Sequence, residues 1–240
     1  MTNNPQFQRP SFKLRGRKSP LVLTFGALVT LGVLFTALSG FYADWLWFKS
    51  VDFTSTWSTI LGTKVFLFFV TGLLTASIVL ANVWIAYKRR PLYVSMTMES
   101  DNLERYRSQV EPIRRSLFIG GFLALFYFAG TSGSTLWSSW LLFKNSTDFG
   151  VKDPQFNMDI SFFAFRLPFW QTIIGWGIST LVLAIIASTV VHYLYGGIRL
   201  QVQEDRTTVA ARLQLSVLLG GVVLLKAVAY WFDRFALALK

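Results

Sequence analysis

The sequence predicts an all-α protein, a polytopic transmembrane bundle of about five helices. Apolar residues make up 53% of the 240 residues and charged residues only 15%, whereas a typical soluble domain is about 25% charged. The apolar residues gather in five runs, and each run reaches the about 20 residues that cross about 30 Å of hydrocarbon. The runs do not alternate with polar residues, which favours helices and excludes a transmembrane β-barrel.

A basic tail precedes the first run. Residues 1–20 contain no acidic residue and could be a cytoplasmic tail or the charged start of a signal peptide. The uncharged run at 21–43 is longer than a signal-peptide core, and the flank at 41–48 lacks a small-residue cleavage site. We therefore predict a cytoplasmic tail and a retained transmembrane helix. The basic residues of the tail are Arg9, Lys13, Arg15, Arg17 and Lys18.

Four further runs complete a transmembrane domain that we assign to residues 21–240. The predicted spans lie at 60–86, 117–140, 169–195 and 213–232. Each is long enough to span a bilayer, and each is rich in Leu, Ile, Val or Phe. The domain is thus predicted to be a multi-pass protein of the cell membrane.

The distribution of charge predicts the orientation. A net charge of +11 could by itself indicate nucleic-acid binding. With the N-terminus in the cytoplasm, however, the segments 1–20, 87–116 and 196–212 hold 15 Lys and Arg, against 6 on the opposite side. This asymmetry is the positive-inside pattern of membrane proteins. We therefore expect a cytoplasmic N-terminus and no nucleic-acid partner.

The loop after the second span predicts an amphipathic helix at 99–115 on the inner leaflet. Apolar residues recur there at helical spacing, with charges between them. The basic residues of this region could bind anionic lipid headgroups. The simpler alternative is a charge bias that only sets topology. The candidate headgroup ligands are Lys88, Arg89, Arg90, Arg105, Arg107, Arg114 and Arg115.

An outer loop is predicted at 144–168. It combines turn-forming residues with a run of aromatic residues. Its aspartates lack the spacing of a calcium-binding loop. An alternative organisation of the loop is a polar lock formed by Asp153, Asp159 and Arg166, because charges in a partly buried loop need partners. Its phenylalanines are expected to dip into the outer leaflet or to pack on neighbouring spans; they are Phe162, Phe163 and Phe165.

Lys226 is a charge inside the last predicted span. A cation at a helix centre costs about 2.5–3.5 kcal/mol on insertion scales. Lys226 could line a polar path, but snorkelling or pairing with an acid on a further span is the favoured interpretation. The centres of the five spans contain no Asp or Glu, which weakens a transporter hypothesis because ion-coupled transport usually needs an intramembrane carboxylate.

The sequence assigns no catalytic, cofactor-binding or metal-binding residue, and no cofactor. Cysteine is absent, histidine occurs once, and the common nucleotide-binding, hydrolase and zinc-protease motifs do not occur. His192 precedes Gly196 and Gly197, a pattern that is typical of a helix C-terminus. We therefore interpret His192 as a structural residue and expect the protein not to be an enzyme.

Four strings of the sequence are distinctive: LERYRSQVEPIRR, FKNSTDFGVKDPQFNMDISFFAFRLPF, HYLYGGIRLQ and LLKAVAYWFDRFAL. They resemble a family of multi-pass bacterial membrane proteins, mostly actinobacterial, known as uncharacterised protein family 182. Members of this family are usually several times longer, with about seven spans and a large extracytoplasmic region. The resemblance implies that this chain corresponds to their N-terminal membrane part. It implies no activity or catalytic residue. One departure is Gln214, where relatives often carry His.

These observations favour an integral membrane scaffold or anchor domain. Such a domain would dock on a larger membrane complex or carry an envelope-facing extracytoplasmic domain. The alternative is part of a transporter or lipid-handling channel for an anionic substrate. The expected partners are the lipid bilayer with its anionic inner-leaflet headgroups and either a membrane protein complex or a C-terminal region beyond residue 240.

Overall fold

The computed structural model describes residues 20–91, 98–199 and 206–237. These residues form helices connected by loops, and no strand occurs among them. A five-residue π-helix, Phe162–Arg166, runs directly into the fifth α-helix. The α-helices are α1 (Pro20–Ser50), α2 (Thr54–Lys88), α3 (Met98–Ser134), α4 (Trp137–Lys144), α5 (Leu167–Leu194) and α6 (Val209–Ala236).

Five helices in the described part of the chain are long and apolar enough to cross a membrane. The predicted fold class, an all-α bundle with five candidate spans, is therefore confirmed. These apolar stretches are Thr24–Ser50, Thr54–Lys88, Glu104–Ser134, Phe162–Leu194 and Val209–Ala236.

The third span differs from its predicted bounds. The predicted span at 117–140 crosses a break, because α3 ends at Ser134 and α4 begins at Trp137. The predicted surface helix at 99–115 is continuous with the span, since both belong to α3. Pro112 removes one backbone hydrogen bond from this helix. Neither a glycine nor a turn-forming sequence lies between the charged segment at 99–115 and the apolar run that starts at residue 117. The helix therefore continues into the apolar run.

The chain divides into two compact units, Met1–Ser58 and Thr59–Lys240. The described part of the first unit contains α1 and the start of α2. A tight turn joins these two helices, with Asp52 in the left-handed region at a φ of 57°. The Phe53 N–H donates to the Phe48 carbonyl at 2.9 Å, and the Phe41 and Trp57 rings meet edge to face at 5.1 Å.

Within the second unit, α2 and α3 cross at small residues. A Cβ on Gly72 would lie 2.6 Å from the Phe126 carbonyl oxygen, and one on Gly130 would lie 2.8 Å from the Phe68 carbonyl oxygen. Glycine is therefore needed at both positions for the backbones to approach, as in many membrane helix pairs. The Thr71 hydroxyl also lies 3.1 Å from the Ala129 carbonyl across this crossing.

A buried polar network joins α2, α5 and α6. The Gln214 amide oxygen accepts a hydrogen bond from His192 Nε2 at 3.0 Å. The Gln214 amide nitrogen donates to the Asn82 carbonyl at 2.9 Å and lies 3.4 Å from the Ser188 hydroxyl. His192 is only 1% exposed. The network therefore satisfies polar groups that hydrocarbon could not solvate.

The end of α5 is the glycine stop that the sequence predicts. Gly196 has a φ of 72°, and the N–H groups of Gly197 and Ile198 both donate to the His192 carbonyl, at 2.6 and 3.2 Å. These bonds satisfy a carbonyl that the helix leaves unpaired.

Candidate functional site

The ends of α2 and α5 meet the first half of α3 around one carboxylate. Glu111 accepts hydrogen bonds from the Tyr87 hydroxyl at 2.8 Å and the Tyr195 hydroxyl at 2.9 Å. The two tyrosine rings contact each other edge to face, with centroids 5.2 Å apart. We call this group, together with Arg90, Arg107 and Arg114, the basic cluster. It ties three helices together at one end of the second unit.

Two arginines of the basic cluster lie beside this carboxylate. Arg114 donates to Glu111 at 2.8 Å and to the Tyr87 hydroxyl. The Arg90 guanidinium lies 4.2 Å from the centre of the Tyr87 ring and 3.9 Å from Glu111. Cations favour the faces of aromatic rings. Among the described residues the Arg90 guanidinium makes no hydrogen bond, because its 3.9 Å separation from Glu111 is too long for one.

Tyr195 acts in this arrangement as a neutral hydrogen-bond donor. Burial, followed by the hydrogen bond to Glu111, raises the pKa of Tyr195 to about 12. The phenol therefore stays protonated throughout the physiological pH range. This favours a structural or binding role for Tyr195 over acid–base chemistry.

Arg107 is the most enclosed cation of the basic cluster, with a side chain that is 16% exposed. Its Nε donates to the Leu194 carbonyl at 2.6 Å, and its Nη1 donates to Glu104 at 3.2 Å. Its Nη2 is buried and has no hydrogen-bond partner among the residues that the structure describes. A buried N–H group without a partner is costly, so this nitrogen is a candidate contact for an anion.

Two cavities adjoin the basic cluster. The first is polar, has a volume of about 460 Å³, and is lined by Arg90, Pro91, Glu104, Arg107, Ser108, Glu111 and Tyr195. The second has a volume of about 470 Å³ and a mostly apolar wall. Its lining residues include Leu80, Trp84, Val110, Leu117, Phe118 and Val191. Tyr195 lines both cavities, so the polar space and the apolar space are neighbours.

The structure brings some of the predicted headgroup ligands together and leaves others apart. Arg90, Arg107 and Arg114 lie in the basic cluster, and Arg115 lines the apolar cavity. The Lys88 ammonium instead lies over the Trp84 ring at 5.0 Å. Arg89 and Arg105 are exposed and line neither cavity.

Sequence reasoning missed three members of this site, Tyr87, Glu111 and Tyr195. Glu111 lies among arginines at helical spacing, which is a signal for a local ion pair. Nothing local indicated the contacts with Tyr87 and Tyr195, because these residues lie 24 and 84 positions away.

The 144–168 loop is organised around Asp159. The Asp159 carboxylate accepts hydrogen bonds from the N–H groups of Phe149 at 3.0 Å, Gly150 at 2.8 Å and Ser161 at 2.8 Å. Hydrogen bonding from the Ser161 side chain and from these N–H groups lowers the pKa of Asp159 to about 2. The charged carboxylate therefore holds the two sides of the loop together.

The predicted polar lock has a different arrangement. Asp153 accepts hydrogen bonds from the N–H groups of Gln155 at 2.9 Å and Phe156 at 2.7 Å. Within the described ranges, Arg166 pairs with Asp148 at 3.9 Å and makes no ion pair with Asp153 or Asp159. The two aspartates thus bind backbone N–H groups, which lie closer along the chain than the arginine does.

The aromatic run of this loop packs on the end of α6. Phe163 and Phe235 are buried together with Leu167, and Phe156 and Phe162 also contact the Phe235 ring. Packing on a neighbouring span, one of the two predicted alternatives, is therefore what the structure shows for Phe162 and Phe163.

Part of the loop surface remains apolar and exposed. Phe149 is 52% exposed, Val151 57% and Ile160 42%. Val151 and Ile160 are paired through the backbone, since the Ile160 N–H donates to the Val151 carbonyl at 3.0 Å. We call these three residues the loop patch.

Lys226 lies on the exposed face of α6. In the part of the chain that the structure describes, it makes no hydrogen bond or ion pair. It lines neither of the two cavities beside the basic cluster. Across the same residues, no group of His, Asp and Glu side chains could hold a metal ion.

Comparison with known proteins identifies related sequences. A family model described as Uncharacterised protein family (UPF0182) matches residues 21–240. The chain is 46% identical to a UPF0182 protein of Streptomyces coelicolor over 97% of its own length, and 44% identical to one of Salinispora arenicola over 96%. It is 39% identical to a UPF0182 protein of Mycolicibacterium gilvum over 99% of its length.

The chain spans 23% of the length of each of these relatives. No solved structure matches it.

Proposed function

The chain belongs to the uncharacterised protein family UPF0182, and we propose that it is the membrane anchor of a longer protein whose extramembrane part docks on the 144–168 loop. The observation that carries this proposal is the loop patch, an exposed apolar surface on a loop that is itself firmly held. Exposed apolar patches of this kind commonly mark interaction sites.

The order of the loop supports a docking role. Asp159 binds N–H groups on both sides of the loop, and Phe163 packs against Phe235 on α6. A surface that is fixed before binding loses less conformational entropy when a partner arrives. The loop patch is therefore presented on a preorganised support that is joined to two candidate spans.

The length of the relatives supports the choice of partner. The chain spans only 23% of the length of the relatives that it matches. The remaining part of a protein of that length is available to contact the membrane domain. The charge asymmetry of the sequence would put the loop on the outer side of the membrane. We therefore take the occupant to be an extracytoplasmic region of the same polypeptide.

Site-specific photocrosslinking tests the proposal. A photoreactive phenylalanine analogue would replace Val151 of the loop patch in a full-length UPF0182 protein that contains this domain. The matched control would replace Ile186, which is 56% exposed on the apolar surface of α5. We expect position 151 to crosslink to the extramembrane part of the same chain and position 186 to crosslink to lipid. Crosslinks from position 151 to lipid alone would contradict the proposal.

A crosslink from position 151 to a separate polypeptide would instead favour docking on a larger membrane complex. The two outcomes differ in mass, because an internal crosslink leaves the mass of the chain unchanged.

A second candidate function is a lipid-handling channel or transporter for an anionic substrate. The two cavities beside the basic cluster favour it, since one is polar and the other apolar. Lys226 contributes to neither cavity, which leaves its proposed role in a polar path without support. Unchanged uptake or lipid export in Lys226→Met would count against Lys226 as part of the path.

A further inference from the structure

The basic cluster and its two cavities have the chemistry of a single amphiphile. We propose that they bind one anionic phospholipid, with its phosphate against Arg107 and Arg90 in the polar cavity and one acyl chain in the apolar cavity. This binding site is independent of the docking role of the 144–168 loop, which involves other residues.

Arg107 is the first reason for an anionic headgroup. Its Nε and Nη1 are fixed by Leu194 and Glu104, so the orientation of the guanidinium plane is set without a ligand. The buried Nη2 has no partner within the described part of the chain. A phosphate oxygen would supply the missing acceptor, and guanidinium–phosphate hydrogen bonds are among the strong ones in proteins.

The local charge balance is the second reason. Four arginines and two glutamates line the two cavities. Glu104 pairs with Arg107, and Glu111 pairs closely with Arg114. Arg90 lies 3.9 Å from Glu111 and is stacked on Tyr87, and among the described residues its guanidinium makes no hydrogen bond. A surplus of cations next to fixed aromatic rings favours an anion there.

The apolar cavity is the reason for a lipid rather than a free phosphate. It lies between α2, α3 and α5, and side chains such as Trp84, Leu117 and Val191 line it. Arg114 and Arg115 also line it, so its wall is apolar but carries cations. A headgroup in the polar cavity would place an acyl chain beside this space, because Tyr195 borders both.

Native mass spectrometry of the chain in mild detergent tests the proposal. The probes are phosphatidylglycerol, phosphatidylcholine and inorganic phosphate. We expect one phosphatidylglycerol to bind in preference to phosphatidylcholine. Arg107→Gln should weaken that binding about tenfold, which corresponds to the loss of one charge-assisted hydrogen bond. The matched control is Arg105→Gln, which removes the same charge two residues earlier on α3 from an exposed position. It should leave the binding unchanged.

A second variant tests the acyl-chain contact and keeps the proposal testable if Arg107→Gln does not fold. Val110→Trp fills part of the apolar cavity and keeps every arginine. We expect it to weaken phosphatidylglycerol binding while the helical circular dichroism remains that of the parent. Equal losses in Arg105→Gln and Arg107→Gln, equal binding of the two lipids, or inorganic phosphate that displaces the lipid at equal concentration would each overturn the proposal.

Discussion

At the scale of single residues, Asp159 links the order of the 144–168 loop to pH. Its pKa of about 2 in the folded protein is below the ordinary value of 3.8. A carboxyl group with a lowered pKa contributes stability that is present above its ordinary pKa and disappears as the pH falls through the folded value. The contribution of Asp159 should therefore be complete near neutral pH and absent below about pH 2.

We predict that Asp159→Asn lowers the thermal unfolding midpoint in detergent at pH 6 but not at pH 2. The difference between the parent and the variant should shrink between about pH 4 and pH 2. Asp44→Asn, which removes an exposed aspartate on α1, serves as the control for the loss of one acidic side chain. A difference between parent and Asp159→Asn that stays constant across this pH range would contradict the role of the ionised carboxylate.

Gln214 is the second residue whose substitution alone should change stability, because its side chain forms hydrogen bonds with groups on two other helices. We predict that Gln214→Leu lowers the free energy of unfolding by about 1–2 kcal/mol, as it leaves His192 and Asn82 without this partner. Gln171→Leu removes only a 3.3 Å bond to Asp233 and should change stability by less than about 0.5 kcal/mol. Equal effects in denaturant unfolding would mean that the buried network adds nothing.

At the scale of helices, the crossing of α2 and α3 depends on glycine at the positions where the two backbones approach, Gly72 and Gly130. We predict that Gly130→Ala destabilises the domain by about 1–3 kcal/mol, because the new methyl group would lie 2.8 Å from the Phe68 carbonyl oxygen. Gly120→Ala on the same helix meets no atom within 4 Å. It should be neutral or stabilise the helix by up to about 1 kcal/mol.

The two glycine variants are best compared by thermal unfolding in the same detergent. A Gly130→Ala protein as stable as Gly120→Ala would show that the helices do not approach closely at this point.

The sequence predicted an element correctly where a local pattern of residues marks it. Hydropathy located the spans because a bilayer requires long apolar runs, and Gly196–Gly197 located the end of α5 because glycine adopts positive φ readily. The break after Ser134 was missed because the residues of α4 are as apolar as a span. The continuity of residues 99–115 with the third span was missed because the change from charged to apolar residues resembled a boundary.

The candidate site shows the same limit. The sequence indicated which arginines are available, because their clustering is local. It did not indicate that Arg107 would contact Leu194 or that Tyr195 would contact Glu111, since these contacts join residues 87 and 84 positions apart. The Asp159 carboxylate was expected to meet a cation, but N–H groups of its own loop were nearer.

At the scale of the whole molecule, the proposals depend on the two sides of the membrane. The anchor proposal requires the 144–168 loop to be outside the cell, and the charge asymmetry of the sequence predicts a cytoplasmic position for the basic cluster. One orientation meets both conditions, because the 144–168 loop and the basic cluster lie at opposite ends of α3 and of α5. The proposed lipid site would then contact the inner leaflet, where anionic lipids are found.

Cysteine accessibility is the measurement that tests this orientation most directly, because the chain contains no cysteine of its own. Single variants Val151→Cys, Arg89→Cys and Ile186→Cys would be expressed in cells and treated with a membrane-impermeant maleimide. We predict labelling of position 151 in intact cells, labelling of position 89 only after the membrane is opened, and no labelling of position 186. Labelling of position 89 in intact cells while position 151 is protected, or labelling of both from the same side, would contradict the account.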